Sequence, residues 1–139
     1  MPEAEENEEK EDKAELSRHE ILRTPVKKIF KHHQNEIYDV EFNYNGSLLA
    51  TCGGDRQIKI FDVLNHKSGV TINSMNAESI FISVGLDYSG EKLLAGSTDR
   101  TVQIFSTSSG KQLNSFVGHG YKINSVSWSC AKEKCVSGS

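Results

Sequence analysis

Residues His33–Asp62 read HQNEIYDVEFNYNGSLLATCGGDRQIKIFD, and the reading of this stretch decides the fold. It resolves into three predicted strands, Ile37 to Phe42, Leu48 to Cys52 and Gln57 to Phe61. Between them stand Asn45-Gly46 and Gly53-Gly54-Asp55, residue types that punctuate strands with tight turns. Alternation in Ile58-Lys59-Ile60 sends successive side chains to opposite faces of a sheet. The stretch then recurs. Shifted by 44 positions, Gly46 falls on Gly90, Leu49 on Leu93, Asp55 on Asp99, Arg56 on Arg100, Ile60 on Ile104 and Phe61 on Phe105, with no gap.

A unit of four short strands repeated at roughly 40 to 45 residues is the signature of a β-propeller blade. The first blade is expected over 33–75, its fourth strand near Val70 to Ser74. The second, over 77–117, has predicted strands at Phe81–Leu86, Lys92–Gly96, Thr101–Phe105 and Lys111–Phe116. Its turns are signalled by Tyr88-Ser89-Gly90, Ser97-Thr98-Asp99 and Ser108-Ser109-Gly110. The third, over 119–139, is incomplete: it has a first strand around Ile123, Val126 and Trp128 and most of a second. The turn aspartate follows the opening position of the repeat by 22 residues, from His33 to Asp55 and from Ala77 to Asp99, and the same step from His119 passes Ser139. The expected fold class is therefore all-β: a propeller fragment of about two and a half four-stranded blades. One outer strand, Val26 to Lys31, precedes them. A propeller closes with roughly four to eight blades. The chain is accordingly expected to be part of a longer protein, with an uncovered face at each end, and not an autonomous fold.

Composition sets the remaining bounds. The 139 residues suffice for one ordinary domain, and 36% hydrophobic with 25% charged residues are globular proportions. No apolar run approaches the roughly 18 residues of a membrane helix, and the N-terminus lacks the apolar core of a signal peptide. The net charge of −3 is uneven: residues 1–20 carry nine acids against three bases, so that the rest of the chain is net positive. Residues 1–22 are expected to be an acidic disordered tail, too poor in large apolar side chains to offset the entropy of ordering; 23–139 are expected to form the partial propeller. In Val26 to Lys31, lysines interleave with Val26, Ile29 and Phe30, the pattern of a strand with one wet face.

The motifs speak against chemistry. Cys52, Cys130 and Cys135 are odd in number and lack C-x-x-C spacing, which fits reduced, partly buried thiols. His19, His32 and His33 have no cysteine or acid cluster to complete a metal site, and neither a metal nor a cofactor is expected. There is no G-x-S-x-G, no phosphate-binding loop ending in Lys-Ser/Thr and no H-E-x-x-H. Gly53-Gly54-Asp55 is a turn and not a phosphate cradle, because no helix is predicted after it. The chain is expected not to be an enzyme.

The sequence resembles the WD-repeat family. The resemblance is carried by Gly118-His119, by His33, by the turn acids Asp55 and Asp99, and by the strand endings Ile60-Phe61-Asp62 and Ile104-Phe105-Ser106, where the family has Trp-Asp. Trp128 lies on a first strand and is not the family tryptophan. The resemblance implies a structural hydrogen-bond network within each blade, from a loop His to a turn Asp and a second-strand Ser or Thr. It falls here on His33, Thr51 and Asp55 in the first blade and on His119 and Ser137 in the third. Only Asp99 represents it in the second, because Ala77 and Ala95 replace the other two.

The chain is more specifically similar, over roughly 25–139, to the C-terminal propeller of the autophagy-related sixteen-like proteins. LLATCGGDRQIKIF in the first blade, a second blade reading NAESI and LLAGSTDRTVQIF without the loop His, and FVGHGYKI in the third carry that likeness. It implies a non-enzymatic, cytoplasmic docking scaffold for protein partners, recruited to autophagic membranes only indirectly. No nucleic acid and no small-molecule substrate are expected. In propellers of this family the loop into the first strand and the turn after the second reach one face. Here that places Gln34, Glu36, Gly54, Glu78, Ile80, Thr98, Gly120 and Lys122 on a docking face, with an exposed Ile80 as its anchor. The competing readings are scaffolds in a ubiquitin-ligase or an RNA or nuclear assembly. Leu64 and Ser108 stand where ubiquitin-ligase receptors of the family often carry Arg, and no Arg-Arg pair of the phosphoinositide-binding propellers is present.

Overall fold

Ten strands form in chain order: β1 Ile37–Phe42, β2 Leu48–Gly53, β3 Gln57–Asp62, β4 Lys67–Asn73, β5 Phe81–Leu86, β6 Lys92–Ser97, β7 Thr101–Ser106, β8 Gln112–Val117, β9 Ser125–Trp128 and β10 Cys135–Gly138. They belong to a computed structural model that describes residues 30–129 and 134–139. The chain divides into two compact units, Met1–His32 and His33–Ser139, and the second holds every strand among the described residues. The acidic segment expected over 1–22 and most of the strand expected over Val26 to Lys31 lie outside the described residues; Phe30 and Lys31 are in no strand.

The strands form two four-stranded antiparallel sheets, β1-β2-β3-β4 and β5-β6-β7-β8, and a two-stranded sheet, β9-β10. The two large sheets repeat one register. Phe42 opposes Leu49 and Thr51 opposes Lys59 in the first; Leu86 opposes Leu93 and Ala95 opposes Gln103 in the second. Each pair is the other moved by 44 residues, so the sequence period is also a period of pairing.

Turn chemistry explains why the register holds. Gly46 (φ +73) and Gly90 (φ +77) close the turns after β1 and β5, where a left-handed backbone suits a residue without Cβ. Their N–H groups donate to the carbonyls of Asn43 and Asp87, at 3.0 and 3.1 Å. After β2 and β6 the left-handed residue is Arg56 (φ 65) or Arg100 (φ 70), an uncommon conformation outside glycine. The preceding aspartates hold it in place: Asp55 accepts the N–H of Gln57 at 3.3 Å and Asp99 that of Thr101 at 3.0 Å. The outer strand β4 begins at Lys67, earlier than the apolar pattern predicts, because a bulge between Lys59 and Phe61 brings Ser68 opposite Phe61 and Lys67 opposite Asp62. Backbone pairing continues there where hydrophobicity does not.

The sheets stack through alternating side chains. Ala50, Cys52, Ile58, Ile60 and Ile72 of the first sheet pack on Phe81, Val84, Leu86, Leu93, Ala95 and Phe105 of the second. The opposite side of the second sheet presents Leu94 and Val102 to Ile123 and Val126 of the third, with Ile104, Trp128 and Cys135 at the margin. Leu93 and Leu94 are neighbours, face opposite ways and are both fully buried, which explains the near-continuous apolar run of β6 in a strand covered on both faces. Each such side chain contributes roughly 1.5–3 kcal/mol relative to exposure. Polar links reinforce the stack. The Ser83 hydroxyl and the Val84 N–H donate to Asp39 Oδ2, at 2.8 and 3.0 Å, and the Val126 N–H donates to Ser83 Oγ at 3.2 Å. One relay thus crosses three successive first strands.

Candidate docking face

The loops entering the first strands lie against the turns leaving the second strands. In the first sheet the Gln34 N–H donates to Asp55 Oδ2 at 3.1 Å and the Gly54 N–H to the Glu36 carbonyl at 2.7 Å. In the second, the Thr98 N–H donates to the Ile80 carbonyl at 2.9 Å, and the Ile80 N–H donates back to Thr98 Oγ1 at 2.9 Å. Glu36 with Gly54, and Ile80 with Thr98, are therefore brought together in pairs, and Gln34 is tied to the first of these turns through Asp55. Glu78 is exposed, its N–H held by Asn76 Oδ1 at 3.1 Å. Gly120 and Lys122 are exposed, and the next residue is tied to the second sheet by the Ile123 N–H donating to the Ser97 carbonyl at 3.1 Å. One expectation needs correcting. Ile80 is half-buried and not exposed, because its paired bonds to Thr98 draw it against the turn.

Beneath this face the sequence candidates for a polar network meet in the first sheet. His33 Nδ1 lies 2.9 Å from both oxygens of Asp55, and His33 Nε2 lies 2.6 Å from Thr51 Oγ1. The ring sits between a turn acid and a strand hydroxyl, 4% exposed at its side chain. Burial alone would raise the Asp55 carboxyl, but hydrogen bonds from His33 and from the N–H groups of Gln34 and Gln57 outweigh it and hold the group below the usual carboxylate range. In the second sheet Asp99 has no histidine; it accepts from the hydroxyl and the N–H of its near neighbour Thr101. Ala77, at the position of the loop histidine, uses its carbonyl to accept from Arg56 Nη1. In the third, His119 Nε2 lies 2.8 Å from Ser137 Oγ.

Asp55, His33 and Thr51 stand in the order of a charge-relay triad. The hydroxyl is directed inward, however: Thr51 is 4% exposed, and substrate reach is the first condition for such a group to act. The thiol of Cys52 is likewise withdrawn, pushed up to about 12 by burial and by the charge of Asp39. Among the described residues no group of three or more His, Cys, Asp or Glu could hold a metal ion. What the arrangement can do is stiffen a loop-and-turn surface.

The sequence reading passed over a recess along the first strands. A cavity of about 420 Å³ is bordered by Asp39, Glu41, Tyr44, Tyr88 and Trp128, with the Tyr44 and Tyr88 rings 4.5 Å apart at their centroids. Burial and the neighbouring Asp39 raise the Glu41 carboxyl. The signal was present in the chain, since Tyr44 and Tyr88 stand 44 residues apart at the same turn position. A second cavity, of about 390 Å³, is bordered by Val102, Phe116 and Val117 and by Val136 of β10.

Comparison with known proteins agrees with this geometry. The family model of the WD domain, G-beta repeat matches residues 23–62 and 110–139. Protein tipD of Dictyostelium discoideum is 32% identical over 103 residues, which cover 74% of this chain and 16% of that protein. The U3 small nucleolar RNA-associated protein 15 homolog of Gallus gallus is 39% identical over 85 residues, 60% of this chain and 16% of that protein. Autophagic-related protein 16.2 of Caenorhabditis elegans is 28% identical over 109 residues, 77% of this chain and 20% of that protein. The chain thus spans a fifth or less of the length of these relatives. Among solved structures, the RRP9 WD40 repeats superpose with a TM-score of 0.73 at 17% identity over 79% of this chain and 34% of theirs, a likeness of fold. With the family model spanning half of the residues, on sheets that repeat a single register, the chain belongs to the WD40 repeat family.

Proposed function

We propose that the chain is a non-enzymatic protein-docking scaffold of autophagosome assembly, acting in the cytoplasm and reaching autophagic membranes through protein partners. That WD40 repeats form a protein-interaction scaffold follows from the family. The autophagic role is supported chiefly by one observation. A second blade that lacks the loop histidine and the strand hydroxyl, through Ala77 and Ala95, stands between two that carry both, the order on which the resemblance to the autophagy-related sixteen-like propellers rests. The match to Autophagic-related protein 16.2 adds to it. The partner would contact Gln34, Glu36 and Gly54, then Glu78 and Thr98, then Gly120 and Lys122, a polar surface in which Ile80 is half-buried. Its charges, Glu36, Glu78 and Lys122, are mixed, which favours a partner selected by charge pattern and not by one apolar anchor.

A second reading, a scaffold in an RNA-associated nuclear assembly, has its own support in the 39% identity to the U3 small nucleolar RNA-associated protein 15 homolog. One experiment separates the two. A fluorescent fusion of the chain is imaged in starved cells beside an autophagosome marker and a nucleolar marker. The autophagy reading requires starvation-induced cytoplasmic puncta that overlap the first marker and are reduced several-fold by Glu36→Arg with Lys122→Glu. Nucleolar accumulation, or puncta indifferent to starvation, rules it out.

A further inference from the structure

We propose that the recess along the first strands receives an arginine side chain from a basic segment of a protein partner, its guanidinium lying on the Tyr44 and Tyr88 pair with the fork turned to the Glu41 carboxylate. The recess is at the far end of β1 and β5 from the docking face. Each strand leaves a loop of that face, at Glu36 or Ile80, and runs to the turn that carries Tyr44 or Tyr88. The recess is therefore a second contact region, separate from the docking face. Its openness does not come from the ends of the stack. The second sheet has a neighbour on each side: the first sheet buries Val84 and Leu86, and Trp128 of the third lies against Gly85. Tyr88, in the turn of that same sheet, is nevertheless 58% exposed. Asp39 and Glu41 alternate with Val40 and Phe42 along β1, so they belong to its opposite side. That side faces the second sheet, where Asp39 accepts from Ser83. A sheet laid on the outer face of the first would cover Val40 and Phe42 and not these carboxylates.

The chemistry of the lining selects the occupant. Three carboxyls border the recess, those of Asp39, Glu41 and Asp87, and among the described residues no Lys, Arg or His does. Two of the three are engaged. Asp39 accepts from the Val40 and Val84 N–H groups and the Ser83 hydroxyl, and Asp87 from the Ser89 hydroxyl and the Lys92 N–H. Glu41 accepts no hydrogen bond from the described residues, and burial with the charge of Asp39 raises its carboxyl; a cation beside it relieves both effects. The room comes from the repeat itself. Where the first sheet has Glu41 the second has Gly85, and the Trp128 indole closes over it, its Nε1–H donating to the Gly85 carbonyl at 3.2 Å. Tyr44 and Tyr88 supply the aromatic surface. Their centroids are 4.5 Å apart, too close to admit a third plane, so the cation lies on the pair and not between the rings. A planar guanidinium stacks on such a surface and meets a carboxylate with two parallel bonds, which an ammonium does not.

The test is titration of the whole 139-residue chain, read by the fluorescence of Trp128, its one tryptophan. The probe is a short capped peptide of glycine and alanine with a central arginine; two companions carry lysine or citrulline, the neutral analogue of arginine, in its place. The arginine peptide is expected to bind with a dissociation constant of about 1 mM, the range of one cation–π contact and one charge-assisted pair. The citrulline peptide is expected to bind about tenfold more weakly or worse, and the lysine peptide several-fold more weakly. Glu41→Gln and Tyr88→Leu are each expected to weaken the arginine peptide about fivefold, the second because it keeps apolar bulk and loses the ring face. Should Tyr88→Leu lose its strand signal in circular dichroism, Tyr44→Leu is read in the same way. No fluorescence change with about 10 mM arginine peptide overturns the proposal. So does citrulline that binds as tightly as arginine, or arginine binding that both variants leave intact. Lysine that binds as tightly as arginine overturns the choice of a guanidinium.

Discussion

The sharpest test of the His33 brace is to remove it and compare the loss with that at His119. His33→Ala deletes one bond to a carboxylate and one to a buried hydroxyl. A hydrogen bond to a charged group is worth about 1.5–3 kcal/mol, and a buried hydroxyl left without a partner costs about 1–3 kcal/mol. Asp55 keeps the N–H groups of Gln34 and Gln57, so the lower part of the first range applies, and the loss comes to about 3 kcal/mol. His119→Ala removes a single neutral bond to Ser137, worth about 1 kcal/mol. The difference of about 2 kcal/mol lowers the urea midpoint by about 1 M more for His33→Ala than for His119→Ala, at the slopes usual for small domains. Both are measured by circular dichroism at one protein concentration, because any association shifts apparent stability. Adding Thr51→Val to His33→Ala should return about 1 kcal/mol by removing the stranded hydroxyl. Midpoints of the two single variants within about 0.3 M of each other would refute the view that the ring joins two elements in the first sheet and only one in the third.

Three further outcomes follow from the geometry. Gly96→Ala would set a Cβ 2.5 Å from Ile123 Cγ2, a branched carbon that is fully buried and cannot swing away; the third sheet should loosen at a cost of about 1–3 kcal/mol, seen as a red shift of Trp128 fluorescence. Because the folded-state carboxyl of Asp55 is held below its ordinary value, its contribution is complete above the unfolded pKa of about 3.9 and is lost as pH falls through the lower folded value; urea midpoints measured from pH 5 to pH 2 should fall with acid, and less steeply in Asp55→Ala. The Cys52 thiol, buried and raised to about 12, should react with a thiol reagent at pH 8 many-fold more slowly than the half-buried Cys135, and the gap should close in denaturant.

The placement of the site shows where sequence reasoning reached its limit. His33, Thr51 and Asp55 could be grouped from the repeat and the resemblance, and the structure places them within hydrogen-bond distance. Ile80 was misjudged because polar sequence neighbours say nothing of the two bonds that Thr98 makes to its backbone. The recess at Tyr44 and Tyr88 was passed over because a turn tyrosine reads as solvated until the neighbouring repeat sets another ring 4.5 Å away.

From the sequence alone come the strands, the turns and the blade period. Each depends on local chemistry: alternation, a left-handed glycine, an aspartate that holds the residues after it. The step of 44 from Gly46 to Gly90, and from Asp55 to Asp99, is written in the chain and reappears as register. Only the tertiary structure decides which face of each strand is covered and by what. Val40 and Val84 are the same residue at the same repeat position, yet one is bare and the other buried. The difference is that, among the described residues, a sheet packs on the second and none packs on the first, because burial belongs to the neighbour and not to the residue.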